Sequence, residues 1–120
     1  MRRRGPQGPL HFLLDIQNHC MAQAIYAEAR AESFAGKQAV AHVIMNRAKK
    51  QKKSPCEIVR QRGQFKYRTG GGSQWLDSMR AAANRGYDLT RGSLYFKAKH
   101  ARVKWPHKFV TSIGNHLFYK

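Results

Sequence analysis

Acidic residues are scarce in this chain. Six Asp and Glu stand against 23 Lys and Arg in 120 residues, a formal net charge of +17 with the histidines neutral. With so few carboxylates, each can be examined for its own role. Long apolar runs are absent too: the longest candidate, Ala39 to Met45, has seven residues and contains His42, well short of the roughly 18–20 that a membrane-spanning helix needs. The two cysteines, Cys20 and Cys56, form no CxxC pair and no disulfide framework. Both read as buried, reduced, inert thiols, which fits a reducing compartment. The six histidines (11, 19, 42, 100, 107 and 116) show neither HExxH nor HxH spacing, so a zinc site is weakly signalled. Ser33 and Ser112 lack a nucleophile-elbow context, and Gly70-Gly71-Gly72 lacks the Lys-Ser/Thr of a phosphate loop.

What is present suffices for one domain. Hydrophobic residues make up 42%, with six Phe, five Tyr and two Trp, so a core can form and wholesale disorder is excluded. The positive field favours polyanionic partners: nucleic acid, anionic lipid, lipopolysaccharide or anionic cell-wall polymer. Charge alone does not choose among them. The start, Met1-Arg2-Arg3-Arg4-Gly5-Pro6, has the charge of a signal peptide. The stretch Leu10 to Leu14 contains His11, however, Asp15 follows at once, and no small-residue cleavage site appears. Residues 1–12 are expected to be a basic, solvated arm and 13–120 a single domain.

Periodicity predicts helices over Leu13–Ala29 and Phe34–Lys49. In the first, Leu13, Leu14, Ile16, Cys20, Met21, Ala24, Ile25 and Ala27 share half the wheel. In the second, Phe34, Val40, Ala41, Ile44, Met45 and Ala48 share a face, opposite Gln38, His42, Asn46 and Lys49. His42 is read there as a solvated or rim residue. Ser54-Pro55-Cys56-Glu57 has the pattern of a capping box with proline at the first helical position. Thr69–Ser73 is expected to be a flexible loop, and Ser73 to cap a helix that Gly86 stops. Leu94–Phe96, Phe109–Thr111 and His116–Tyr119 read as short strands, with a turn at Gly114-Asn115. The expected fold class is α+β: a mainly helical domain with a small antiparallel sheet near the C-terminus.

The carboxylates separate by position. Glu57 caps a helix, Asp77 and Asp15 suit the first turns of theirs, and Asp88 suits a turn. Glu28 has no such reading. It falls inside the apolar half of its helix, at the end where the dipole disfavours a negative charge, and both effects favour a protonated acid. A carboxylic acid held protonated near neutral pH is what a general acid needs. The competing structural reading is an ion pair with Arg30 or Arg47. Glu32, four residues on, is either a second carboxylate of an acid/base pair or an ion-paired residue in the turn. Aromatics interleaved with cations, as in Phe65-Lys66-Tyr67-Arg68 and Tyr95-Phe96-Lys97, suit stacking on sugars or on bases, or simply half-buried edges.

The run Met21–Glu32, containing Ala27-Glu28-Ala29-Arg30-Ala31-Glu32, resembles the opening of the SleB-type cell-wall hydrolases, the spore cortex-lytic family. Gly36–Arg47, Gly63-Gln64-Phe65, Gly92–Phe96 and Ile113–Tyr119 are similar to further blocks of that family, in its order. The resemblance implies a lysozyme-like fold that cleaves the MurNAc–GlcNAc strands of peptidoglycan, with Glu28 as the catalytic acid; separately, no cofactor or metal is expected. It also implies cleft roles for Gln64, Tyr95, His116 and Tyr119. The chain departs from the family at Ala31, usually Gly, where a positive φ would be strained.

A retaining glycosidase needs a second carboxylate about 5–5.5 Å from the first, and an inverting one about 6.5–9.5 Å. Only Glu32 is available. If Glu32 is structural, Glu28 must perform both proton transfers, which is the chemistry of a lytic transglycosylase. A small basic domain without a visible signal fits an endolysin: a monomer made in the host bacterial cytoplasm and acting on the wall and periplasm after release, with lipopolysaccharide as a second anionic contact. Two alternatives stay open. One is a non-catalytic nucleic-acid-binding protein, although no usual nucleic-acid motif is present. The other is a zinc-dependent wall amidase or peptidase.

Overall fold

The structure is a computed structural model that describes residues 9–120. Four helices, α1 (Pro9–Ala29), α2 (Phe34–Gln51), α3 (Pro55–Val59) and α4 (Gly72–Ala83), precede three strands, β1 (Tyr95–Ala98), β2 (Phe109–Ile113) and β3 (His116–Tyr119). The α+β class is as the sequence implied. Of the arm expected over residues 1–12, residues 1–8 lie outside the described residues, and 9–12 are the first turn of α1. Asp15 therefore sits beyond that first turn, not within it.

Cys20, Met21, Ala24 and Ile25 of α1 bury against Val40, Ala41, Ile44 and Ala48 of α2, with Ile58, Val59, Ala81, Ala82 and Phe118 closing the core. Leu13, Leu14 and Ile16, expected on the inner face, are 53%, 54% and 39% exposed. The apolar stripe of α1 thus runs on past the end of the core. Phe34 likewise stays exposed at the start of α2.

The thiol reading is corrected. Cys20 and Cys56 form a disulfide across 36 positions, with Cα atoms 5.1 Å apart. Packing of α1 on α3 brings them together, and spacing along the chain cannot show that. Such bonds persist in oxidising compartments, so the cysteines no longer argue for a reducing one.

Local signals explain the helix ends. Ser33 Oγ accepts from the Gly36 N–H at 3.1 Å and caps α2. Ser54 and Glu57 form the reciprocal capping box that starts α3. Ser73 does not cap α4. That helix begins at Gly72 behind Gly71, two residues before the start that a Ser73 cap would give, so Asp77 lies past its first turn and pairs with exposed Arg80 at 3.4 Å. The segment after α4 lies across part of the polar face of α2 and leaves His42 half-buried at its rim, with Lys49 exposed. His42 Nε2 is 3.0 Å from the carbonyls of Arg85 and Gly86, and Asn46 Nδ2 donates to Asp88 and to the Ser93 carbonyl. Asp88 holds its turn by accepting from the Thr90 and Gly92 N–H groups and the Thr90 hydroxyl.

The sheet is antiparallel with order β1-β3-β2. Tyr95 pairs with Tyr119 and Phe96 with Phe118. Strand alternation therefore puts Tyr95, Lys97 and Tyr119 on the outer face, and Phe96, His116 and Phe118 on the face toward the helices.

Candidate active site

Glu28 occupies the last turn of α1 and is half-buried. Its Oε2 accepts the Lys66 backbone N–H at 3.0 Å. Neither arginine considered as its partner pairs with it among the described residues. Arg30 lies over the Tyr26 ring at 4.7 Å, with Arg68 over the same ring at 5.4 Å. Arg47 is turned to the other side of the site. Glu28 is held instead by a strap, residues 66–70, laid along α1. Arg68 N–H donates to the Gln23 carbonyl, Gln23 Nε2 donates to Thr69 Oγ1, and Gly70 lies flat on the Tyr26 ring, where a Cβ would overlap it. The glycine-rich loop expected to be flexible is thus docked on α1.

Glu32 does a different job. Its Oε1 accepts the Asn115 backbone N–H at 2.9 Å and its Oε2 the Asn115 side-chain amide at 3.3 Å, so both oxygens are used by the β2–β3 turn. Gly114, at φ +57°, presses against the same carboxylate, and a Cβ there would overlap Oε1. Burial raises the Glu32 pKa, but the two Asn115 donors outweigh it, with His116 and Lys37 adding to them, and hold it below its ordinary value. The ion pair expected for Glu32 is replaced by this clasp between the two lobes. Ala31 is not among the residues at positive φ. The departure from glycine at that position therefore introduces no strain.

The aromatic side of the site is built around Arg47. Its guanidinium donates to the Leu94 carbonyl at 2.5 Å and to Gln64 Oε1 at 3.2 Å, and it lies 4.9 Å from the ring centres of both Phe65 and Tyr95. Burial lowers its pKa below the ordinary value. Tyr95 stacks on His107 at 3.8 Å, and Trp105 meets the edges of Tyr95, His107 and Tyr119. A groove of about 520 Å³ runs past Arg47, Gln64, Tyr95, Phe96, Trp105 and His107. Phe65 links the groove to the carboxylate. It precedes the Lys66 N–H that holds Glu28, and its ring meets Phe96 in the groove wall.

Of the residues singled out from the sequence, Gln64, Tyr95 and Tyr119 gather about Arg47 and Trp105. His116 stands apart on the inner sheet face. It is buried, its ring edge meets Phe96 at 5.0 Å, and its Nδ1 has no partner. Burial lowers its pKa against the pull of Glu32 and Glu28, leaving a neutral imidazole at neutral pH. Arg47, Trp105 and His107 were not expected as site residues. From the sequence Arg47 offers itself as an ion-pair partner for Glu28, and Trp105 and His107 lie in a segment without periodicity. Among the described residues no cluster of three His, Cys, Asp or Glu is placed to hold a metal.

A half-buried carboxylate at a helix end, linked to an aromatic groove on an α+β scaffold, is the build of a polysaccharide-cleaving enzyme. The chain belongs to the cell wall hydrolase family, whose model matches residues 31–119. That match begins three residues after Glu28 and does not include it. The fold is similar to the catalytic domain of the germination-specific lytic transglycosylase SleB from Bacillus anthracis, at 29% identity and a TM-score of 0.72, over 89% of this chain and 94% of that one. It is also similar to the catalytic domain of the Bacillus cereus SleB protein, at 27% identity and a TM-score of 0.72, over 100% of this chain and 98% of that one. No curated protein matches the chain.

Proposed function

We propose that this enzyme cleaves the MurNAc–GlcNAc bond of peptidoglycan as a lytic transglycosylase, with Glu28 as acid and then base. The observation that carries the reading is the distribution of carboxylates. Glu57 is spent on a cap, Asp88 on a turn, Glu32 on the Asn115 clasp and Asp77 on Arg80. Asp15 has its own contacts, 13 residues up α1 from Glu28 and so about 20 Å away along the axis. Only Glu28 has an oxygen left for substrate on a segment tied, through Lys66 and Phe65, to an aromatic groove. One carboxylate without a partner suits neither double-carboxylate geometry of hydrolysis.

In this mechanism Glu28 donates its proton to the glycosidic oxygen as the C1–O bond breaks. The resulting carboxylate takes the proton of the muramyl C6 hydroxyl as that oxygen bonds to C1. The products are a free GlcNAc hydroxyl and a 1,6-anhydromuramyl end, and Glu28 is protonated again. The Tyr95, Trp105 and Tyr119 rings offer faces and edges on which pyranose rings stack. Mass spectrometry of muropeptides released from purified peptidoglycan tests the proposal. Anhydro ends from the parent and none from Glu28→Gln are expected. Reducing ends would instead make the enzyme a muramidase hydrolysing the same bond.

The setting we favour is that of a cell-lysing endolysin. The +17 charge supports it through attraction to anionic lipopolysaccharide. Salt-sensitive leakage from lipopolysaccharide-bearing liposomes is the expected result, and its absence would remove that role.

A further inference from the structure

We infer that a cationic groove continuous with the aromatic one is a subsite for the carboxylates of the stem peptide that peptidoglycan carries on its muramyl sugars. The inference rests on the glycan-cleaving reading and names the part of the substrate, other than sugar, that the enzyme holds. The groove has a volume of about 380 Å³, and its lining includes Arg47, Lys50, Gln61, Arg62, Gln64 and Tyr95. Arg47, Gln64 and Tyr95 also line the aromatic groove, so one ligand can lie in both.

The lining holds three cations and no carboxylate. Arg47 is committed to the Leu94 carbonyl and Gln64. Lys50 and Arg62 are exposed and have neither a hydrogen bond nor an ion pair among the described residues. Between them Gln61 Nε2 donates to Gln51 Oε1 at 2.6 Å, which fixes a polar floor.

Where the lactyl groups carry peptides their carboxyls are spent in amide bonds, so the sugars themselves present hydroxyls, ethers and acetamides, and these give two unpaired cations nothing to neutralise. The stem peptide presents free carboxylates and leaves the strand at the lactyl group of the sugar whose bond is cut. Its anions therefore arrive beside the aromatic groove, where Lys50 and Arg62 stand. A polyphosphate ligand such as nucleic acid would find the same charges, but it gives no account of why they adjoin a platform suited to sugar rings.

Titration calorimetry on the Glu28→Gln protein, which should leave the ligand intact, separates these readings. The ligands are a GlcNAc–MurNAc tetrapeptide and the same disaccharide with its lactyl carboxyl capped as the methylamide, which carries no anion. At about 50 mM salt the peptide-bearing ligand should bind roughly tenfold tighter, as two solvent-exposed ion pairs allow. The gap should close at high salt on the same protein, which needs no further substitution. It should also close with Lys50→Gln and Arg62→Gln combined. Equal affinity for the two ligands, or a gap that survives both the salt and the double substitution, overturns the subsite. So does a double substitution that weakens binding of a duplex oligonucleotide while the peptide gap persists. Cleavage by the parent is scored in parallel. Cleavage without a peptide gap refutes the subsite alone, whereas a parent that releases no glycan fragments refutes the enzymatic reading.

Discussion

Substituting Glu32 by Gln decides between the two readings of the second carboxylate. The side chain keeps its shape but loses its charge, and its amide nitrogen replaces one of the two acceptors that Asn115 uses. Hydrogen bonds to charged groups contribute ~1.5–3 kcal/mol when shielded from water. Glu32 is half-buried, and the solvent that still reaches it reduces the loss to about 1 kcal/mol. For a domain of this size that is a fall in Tm of about 4 °C.

The pH dependence has a definite sign. Because the folded-state pKa of Glu32 is lowered, its contribution is fully present above the unfolded carboxylate value, near 4.5. It is lost as pH falls through the lower folded value. Paired melts of parent and Glu32→Gln should therefore differ by a constant amount at pH 6–8 and converge in acid. Turnover on purified peptidoglycan, measured well below both melting points, should stay within a few-fold of the parent. An unshifted Tm with abolished turnover would refute the reasoning and make Glu32 a reacting group.

Other perturbations test separate parts of the structure. Replacing Cys20 and Cys56 by Ser, or adding reductant, frees a loop spanning 36 positions. It should cost about 4 kcal/mol in chain entropy, read as a large drop in Tm and in the denaturant midpoint. Gly114→Ala should destabilise by about 1–2 kcal/mol, since its φ is +57° and the new Cβ meets Glu32. In a double-mutant cycle the effects of Gly114→Ala and Glu32→Ala should be non-additive. Arg47→Lys keeps a charge but loses the planar fork that reaches both Leu94 and Gln64. Turnover should fall by about tenfold or more, while Lys50→Gln should not reproduce that loss on peptide-free glycan.

The parts of the molecule legible in its sequence are those set by neighbours along the chain. The Ser54–Glu57 capping box and the Gly114-Asn115 turn depend on contacts within a few residues and appear where the spacing put them, as do the inward faces of α1 and α2 except at Leu13, Leu14, Ile16 and Phe34. The disulfide, the Glu32–Asn115 clasp and the docked strap join positions 36, 83 and 38–46 apart. No periodicity reports on pairs that distant. The aromatic groove shows the same division. Tyr95 and Tyr119 stood out in recognisable strands, while Trp105 and His107 join them only because the segment between β1 and β2 folds back over the sheet.

The isolation of Glu28 on the helical wheel was legible for a physical reason. A carboxylate on an apolar helix face, at the dipole's unfavourable end, conflicts with both local rules at once. Such conflicts persist where function requires them. The structure sharpens this by showing what relieves the conflict: one backbone N–H, from Lys66, with no counter-charge among the described residues. A guanidinium partner would occupy the carboxyl oxygens that a substrate has to reach. A single neutral donor orients the carboxyl group and leaves its other oxygen without a hydrogen-bond partner among the described residues. The same logic explains where the arginines stand. Arg30 is spent on Tyr26 and Arg47 on the groove, and among the described residues no basic side chain forms an ion pair with Glu28, the carboxylate proposed as the acid.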